Sequence, residues 1–374
     1  MSLNKKILGV IFANMHEDVV PDLTRQRTMG SVMFGGRYRL IDFTLSNMAN
    51  SGVDEVGIIT KSNYQSLLDH LGSGREWDMA RKNGGLHLLP PFSNVTSGMY
   101  RGRLEALYGI SDFIKCSDAD YIIMSDCDVV TSLDYNKVFD YHIKSGADIT
   151  AVYATSNLDL AAAEHSNVLG IDGEGRVTNV MINPQISGEC NVCLNTYIIS
   201  KELLMSMIID GAANGIYSFA KSILQARCGD YKIMAYKHDG YFSKITSIKS
   251  YYDANMALLN TSSRKALFPE NAPVYTKIRD NPPAKFAIGA KVKNSLIADG
   301  CIIEGTVENS ILFRGAKVGK GSVVKDSIIM QDTVIGKNCE ISCVITDKVV
   351  KITDRKILTG SANYPVYIGK GAEI

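Results

Sequence analysis

Ile297-Ala298-Asp299-Gly300-Cys301-Ile302-Ile303-Glu304-Gly305-Thr306-Val307-Glu308 is the stretch that decides the C-terminal fold. An apolar residue followed by a small or acidic one returns about every six positions, at Ile297-Ala298, Ile303-Glu304, Val318-Gly319 and Ile335-Gly336, with Ile341 next. Gly289, Gly300, Gly305, Gly315, Gly321 and Gly336 punctuate the turns. That period matches neither an amphipathic helix nor an alternating hairpin. It suits a parallel β-helix in which each side of a coil supplies one inward apolar residue. Such coils serve as rigid stacking or oligomerisation modules.

Working back from this array, the texture changes near residue 265. Upstream, short apolar runs at Ile7–Ala13, Val56–Thr60, Tyr121–Ser125 and Ile149–Ala154 read as strands. Helical patterns at Ile41–Ser51, Tyr64–Leu71, Arg103–Ile114 and Asn136–Lys144 lie between them. Buried strands separated by helices predict a mostly parallel sheet covered on both faces. Ligands in such sheets sit beyond the carboxyl ends of the strands, so the loops after Ala13, Thr60 and Ser125 are the places to look for a site. The expected division is a first domain over 1–264, a linker over 265–287 and a coil domain over 288–374.

The chain has 374 residues, enough for two domains with cores of their own. Its 40 basic and 39 acidic side chains leave a formal charge of +1 with no long run of either sign. That balance argues against a nucleic-acid or membrane-surface binder. The eight cysteines lack paired zinc-ligand spacing and read as reduced thiols. The apolar run after Lys6 is too short to span a bilayer and reads as the buried first strand of a cytoplasmic protein.

The run Phe34-Gly35-Gly36-Arg37-Tyr38-Arg39-Leu40-Ile41-Asp42-Phe43-Thr44-Leu45-Ser46-Asn47 resembles the ADP-glucose pyrophosphorylase (glucose-1-phosphate adenylyltransferase) family. Asn50 to Val53, Ser66-Leu67 with His70, Leu133-Asp134-Tyr135, Asp253 to Met256, Val274 to Lys277 and Pro282 to Phe286 resemble it too. The resemblance covers both regions. It implies an α/β fold, with an N-terminal Rossmann-like nucleotidyltransferase domain on a mostly parallel mixed sheet and a C-terminal left-handed parallel β-helix. It also implies a reaction that joins ATP and glucose 1-phosphate to give ADP-glucose and pyrophosphate. Such chemistry rests on Mg²⁺, basic clamps and in-line positioning.

Carried residue by residue, the resemblance finds most of those parts altered. Asn14, Met15 and Glu17 stand where a phosphate loop has glycines, and Val19 stands where that loop ends in arginine. A cradle that needs close backbone approach is hard to build from these side chains. Arg27 and Gly102 match the family and are remnants of the nucleotide and phosphate site. Lys61 replaces a glutamine at the same site, and bulky Arg103 and Leu104 stand where small residues border the purine. Asn183 replaces the lysine that holds the sugar phosphate, forfeiting a charge-assisted hydrogen bond of roughly 1.5–3 kcal/mol. Cys193-Leu194-Asn195 replaces a sugar-contacting turn. Lys244 puts an ammonium where the second Mg²⁺ ligand belongs. Asp128 remains as a candidate metal ligand, with Asp126 the second candidate.

Several independent losses in one site predict a chain with little or no turnover of its own. The pattern resembles the non-catalytic subunit of the bacterial glycogen-synthesis enzyme. That resemblance implies a heterotetramer with a homologous catalytic subunit whose activity rises on association. Mg²⁺ would then belong to the catalytic partner, with no cofactor required here. Two other readings stand beside it: an active sugar nucleotidyltransferase with altered substrate, and a subunit that senses a phosphosugar or nucleotide effector. A hexapeptide-repeat acyltransferase is disfavoured because no histidine follows His238.

Overall fold

The computed structural model describes residues 6–91 and 100–374. A nine-stranded mixed sheet organises the first domain. Gly85–Leu89, Glu55–Ile59, Ile7–Phe12 and Tyr121–Asp126 lie side by side and parallel; the inner three are near-continuously buried, and the edge strand Gly85–Leu89 is half-buried. Beyond Tyr121–Asp126 the long strand Gly188–Ser200 runs antiparallel and also pairs with Ile149–Leu158, which extends past the expected Ala154. The other strands are Ile233–Lys237, parallel to Ile149–Leu158, and the antiparallel pair Asn167–Ile171 and Val177–Ile182. The two faces of the sheet carry separate apolar cores, one around Phe34, Phe43 and Tyr251 and one around Phe12, Leu104 and Tyr197.

The helix expected over Arg103–Ile114 is two, Arg103–Gly109 and Ser111–Cys116. Gly109 ends the first, and Ile110 leaves helical geometry at φ −111° and ψ 13°. The helix Thr261–Leu267 crosses the expected end of the first domain, and the first coil strand, Lys285–Phe286, lies within the expected linker.

The C-terminal region consists of three five-stranded parallel sheets. Ile303, Val318, Ile335 and Ile352 stack in one sheet and are at most 1% exposed, so the hexad residues point inward. The corners stack as well. Asn294, Asn309, Asp326 and Cys343 all adopt positive φ. A column of hydroxyls ties the coils together: Ser310 N–H donates to Ser295 Oγ, Ser327 N–H to Ser310 Oγ and Val344 N–H to Ser327 Oγ, each at 3.1 Å.

One face of the coil array closes against the first domain. Ile311, Phe313, Ile328, Met330 and Ile345 belong to the same apolar core as Phe34, Phe43 and Tyr251. Tyr252 Oη donates to the Asp326 carbonyl at 2.6 Å, and Arg27 Nη2 donates to Asp347 Oδ2 at 2.6 Å. Arg27 was expected as a phosphate-binding remnant. Instead it is 3% exposed and committed to a carboxylate of the other domain.

Candidate functional site

The first strand and the central strand are parallel neighbours, so the loops that follow them meet at one end of the sheet. After Phe12 the backbone continues to Asn14, and His16 turns it with φ 65° into the short helical turn Glu17–Val19. Asn14 fastens this loop to its neighbour. Its Oδ1 accepts from Lys61 N–H at 2.8 Å, and its Nδ2 donates to the Ser62 carbonyl at 3.1 Å and to Glu17 Oε1 at 2.5 Å. Burial raises the Glu17 carboxyl to about 7, against the opposing pull of Asn14 and Lys61. Lys61 Nζ lies 5.7 Å from the centre of the Tyr100 ring, and Val19 is half-buried.

At the end of the central strand Asp126 and Asp128 are 2% and 1% exposed. Two buried carboxylates need cations or donors, and the chain supplies both. Arg103 Nη2, from the start of its helix, lies 2.7 Å from Asp126 Oδ1 and 2.6 Å from Oδ2. The guanidinium is also 4.9 Å from the Phe12 ring centre and 5.5 Å from that of Tyr197. His16 Nε2 is 3.0 Å from Asp126 Oδ2 and 3.8 Å from Asp128 Oδ2. Desolvation pulls the imidazole down, yet Asp128 and Asp126 outweigh it, so its pKa is raised. For Asp126, desolvation pushes upward, and Arg103 with His16 brings the net shift downward.

Asp128 Oδ2 accepts from Asn195 Nδ2 at 3.2 Å. Lys244 Nζ is 3.9 Å from the same oxygen, too far for a hydrogen bond but within ion-pair range, and has no hydrogen-bond partner among the described residues. A two-stranded ladder puts it there. Lys244 pairs with Val129, and Ile245 N–H donates to the Asp128 carbonyl at 2.8 Å. Asn195 keeps the turn left-handed at φ 52°, which asparagine tolerates better than most residues. Asn183 is also left-handed at φ 51°, but it is exposed, and its backbone N–H donates to the Ser166 carbonyl at 3.0 Å.

A divalent ion does not fit this arrangement. Both oxygens of Asp126 face Arg103, and one oxygen of Asp128 faces Asn195 and Lys244. Asp128 and Asp126, expected as metal candidates, are therefore neutralised from within the chain. Arg103, expected to crowd a purine, is an ion-pair partner, while Leu104 is core at 1% exposure. Gly102 is explained by packing: a Cβ there would lie 2.4 Å from the Tyr217 carbonyl oxygen.

Sequence reasoning did not include His16 in the site. Its position directly after the first strand, beside the loop after the central strand, was the available signal. No local signal announced the pairing of Arg103 with Asp126.

Residues 20–261 match the family described as nucleotidyl transferase, and residues 282–361 match the GlmU-like C-terminal hexapeptide family. The chain is 35% identical over 369 residues to the glycogen biosynthesis protein GlgD of Bacillus subtilis (strain 168), covering 98% of this chain and 97% of that protein. It is 33% identical over 368 residues to a glucose-1-phosphate adenylyltransferase of Bacillus mycoides (strain KBAB4), covering 97% of each. With the enzyme of the same name from Thermosipho africanus (strain TCF52B) it shares 34% identity over 324 residues, or 86% of this chain and 78% of that protein. Sheet, coil array and full-length similarity together mean that the chain belongs to the nucleotidyl transferase family, in its glucose-1-phosphate adenylyltransferase and GlgD group.

Proposed function

We propose that this chain is a non-catalytic subunit of a glucose-1-phosphate adenylyltransferase in glycogen biosynthesis, and that it raises the activity of a homologous catalytic subunit within a hetero-oligomer. The observation that carries the reading is the closure of Asp126 and Asp128 by Arg103, Lys244 and His16. An in-line nucleotidyl transfer needs charge stabilisation at the phosphates. Here the carboxylates that would recruit the metal are already spent on internal cations. The coil array and its tight contact with the first domain provide a rigid body through which association can favour the partner's active conformation.

ADP-glucose formation should be measured for this chain alone, for a catalytic homologue alone, and for both together. The expected result is no turnover alone and a changed rate with co-elution in the mixture. An unchanged rate without co-elution refutes the proposal, and turnover by the isolated chain favours an active transferase with altered substrate.

A second reading, effector sensing, draws on the basic cluster between the domains. Arg39, Arg27 and Arg279 act on Lys348 together with the carboxylate of Asp347, while Arg39 also faces Asp42 and Asp69. Burial, with Arg39 and Arg27 nearby, lowers Lys348 to about 7. A phosphorylated sugar would relieve that repulsion and should raise the melting temperature without added metal.

A further inference from the structure

We propose that a cavity at the amino end of the parallel strands binds a neutral polyhydroxylated ligand, a hexose ring alone or at the end of a chain. The cavity has a volume of about 340 Å³, and Asp54, Glu76, Trp77, Asp78, Arg81 and Tyr275 contribute to its lining. Asp54 directly precedes the strand Glu55–Ile59, whereas Asp126 closes the strand Tyr121–Asp126, and both strands run parallel to Ile7–Phe12. The cavity therefore lies at the opposite end of the sheet from Asp126 and Asp128, and it stands or falls apart from the mixing assay.

The walls are fixed by backbone. Gly74 and Asp78, left-handed at φ 78° and 56°, bracket the short turn Arg75–Trp77. Met79 N–H donates back to the Gly74 carbonyl at 3.0 Å, and Gly85 N–H donates to the Asp54 carbonyl at 2.7 Å. From the linker, Tyr275 N–H donates to Ser46 Oγ at 2.8 Å, which holds in place a side chain that is 37% exposed. Buried Val53 and Met79 add apolar wall.

Inside this frame two polar groups have unused capacity. Trp77 is 2% exposed, yet its indole Nε1–H has no hydrogen-bond partner among the described residues. The half-buried Glu76 carboxylate has neither a hydrogen bond nor an ion pair among the described residues. Arg81 is already committed, with Nη1 3.3 Å from Asp54 Oδ2 and Nη2 2.7 Å from Asp78 Oδ2. Three carboxylates against one guanidinium leave the cavity negative, which disfavours a phosphorylated sugar or a nucleotide. A cation would suit Glu76, but it has no lone pair for the indole N–H. A hydroxyl both donates and accepts, so neighbouring hydroxyls on one ring can serve Glu76 and Trp77 together. The apolar face of the same ring can lie against Tyr275. The volume, at the small end for ligand pockets, suits a single ring.

Trp77 is the only tryptophan, so its fluorescence reports the cavity directly. The full chain should be titrated with glucose, maltotriose, glucose 1-phosphate and ethylammonium, with saturation-transfer nuclear magnetic resonance as an independent readout of sugar binding. Glucose or maltotriose should give a saturable change at millimolar concentration. Tighter maltotriose assigns the site to a chain end, and equal or weaker maltotriose assigns it to a free ring. In the Trp77 response, glucose 1-phosphate and ethylammonium should bind at least tenfold more weakly than the better sugar. Glu76→Ala and Tyr275→Ala, neither at a buried position, should each weaken sugar binding at least tenfold and leave the melting temperature of the free chain unchanged. No sugar binding in either readout overturns the proposal. So does a glucose 1-phosphate or ethylammonium response as tight as that of the sugars, or sugar binding that either variant leaves unchanged.

Discussion

Replacing Arg27 by alanine tests how strongly the coil array is coupled to the first domain. The Arg27 and Asp347 side chains are each 3% exposed, and they meet at 2.6 Å. Breaking a buried pair from one side typically destabilises by about 3–5 kcal/mol, because the remaining charge stays buried without its partner. Here Asp347 keeps the Tyr367 hydroxyl at 2.8 Å and the Lys348 backbone N–H at 2.6 Å, so the loss should fall near the lower end, about 3 kcal/mol. Urea unfolding can be followed through Trp77, the only tryptophan, which is 2% exposed in the first domain, and by circular dichroism for the whole chain. Removing both charges, as in Arg27→Met with Asp347→Leu, should recover much of the loss. If Arg27→Ala lowers stability by less than about 1 kcal/mol, or by the same amount with and without Asp347, the pair does not couple the domains and the reasoning fails.

Gly102→Ala should destabilise by about 1–3 kcal/mol, the usual range for overpacking, because its Cβ meets backbone at Tyr217; an unchanged unfolding midpoint would contradict the packing account. Lys348→Met should stabilise near neutral pH. Burial, with Arg39 and Arg27 nearby, pushes Lys348 down to about 7 in the folded chain, below the ordinary lysine value of about 10.4. Between those values the unfolded state binds more protons, so wild-type stability rises with pH across that window and the burden is full below it. The gain from methionine, roughly 2 kcal/mol at pH 6.5 after allowing for partial exposure, should vanish toward pH 10.5. Parallel melting curves at all pH values would refute the assignment.

How much of this was legible in the sequence depends on the range of the cause. The coil array is local: inward residues such as Ile303, Val318 and Ile335 recur every 15 to 17 residues, so the repeat reports the fold directly. The parallel strands were legible because burial on both faces leaves continuous apolar runs, and their carboxyl ends located the site. The occupants of the site were less accessible. Lys244 reads as an intrusive cation from resemblance alone, but the placement of Arg103 against Asp126 depends on where its helix meets the central strand. Arg27 reads locally as a free cation, and its partner lies 320 residues away in sequence. Gly102 reads as a site remnant because sequence does not reveal the passing backbone of Tyr217.

The column of corner hydroxyls has a consequence for the relation between the two domains. Ser295, Ser310 and Ser327 each receive the N–H of the coil above, so the corner they build stays in register from coil to coil. Coils of 15 and 17 residues keep the same contacts, so a corner can absorb a small change in length, whereas a whole coil adds a rise of about 4.8 Å. Asp347 stands on one of the later coils, opposite a fixed Arg27. Inserting or deleting a single coil beneath it would carry the carboxylate beyond hydrogen-bond reach while leaving every coil intact. The domain thus works as a ruler, and the match between the two halves of the molecule is written partly in a count of coils.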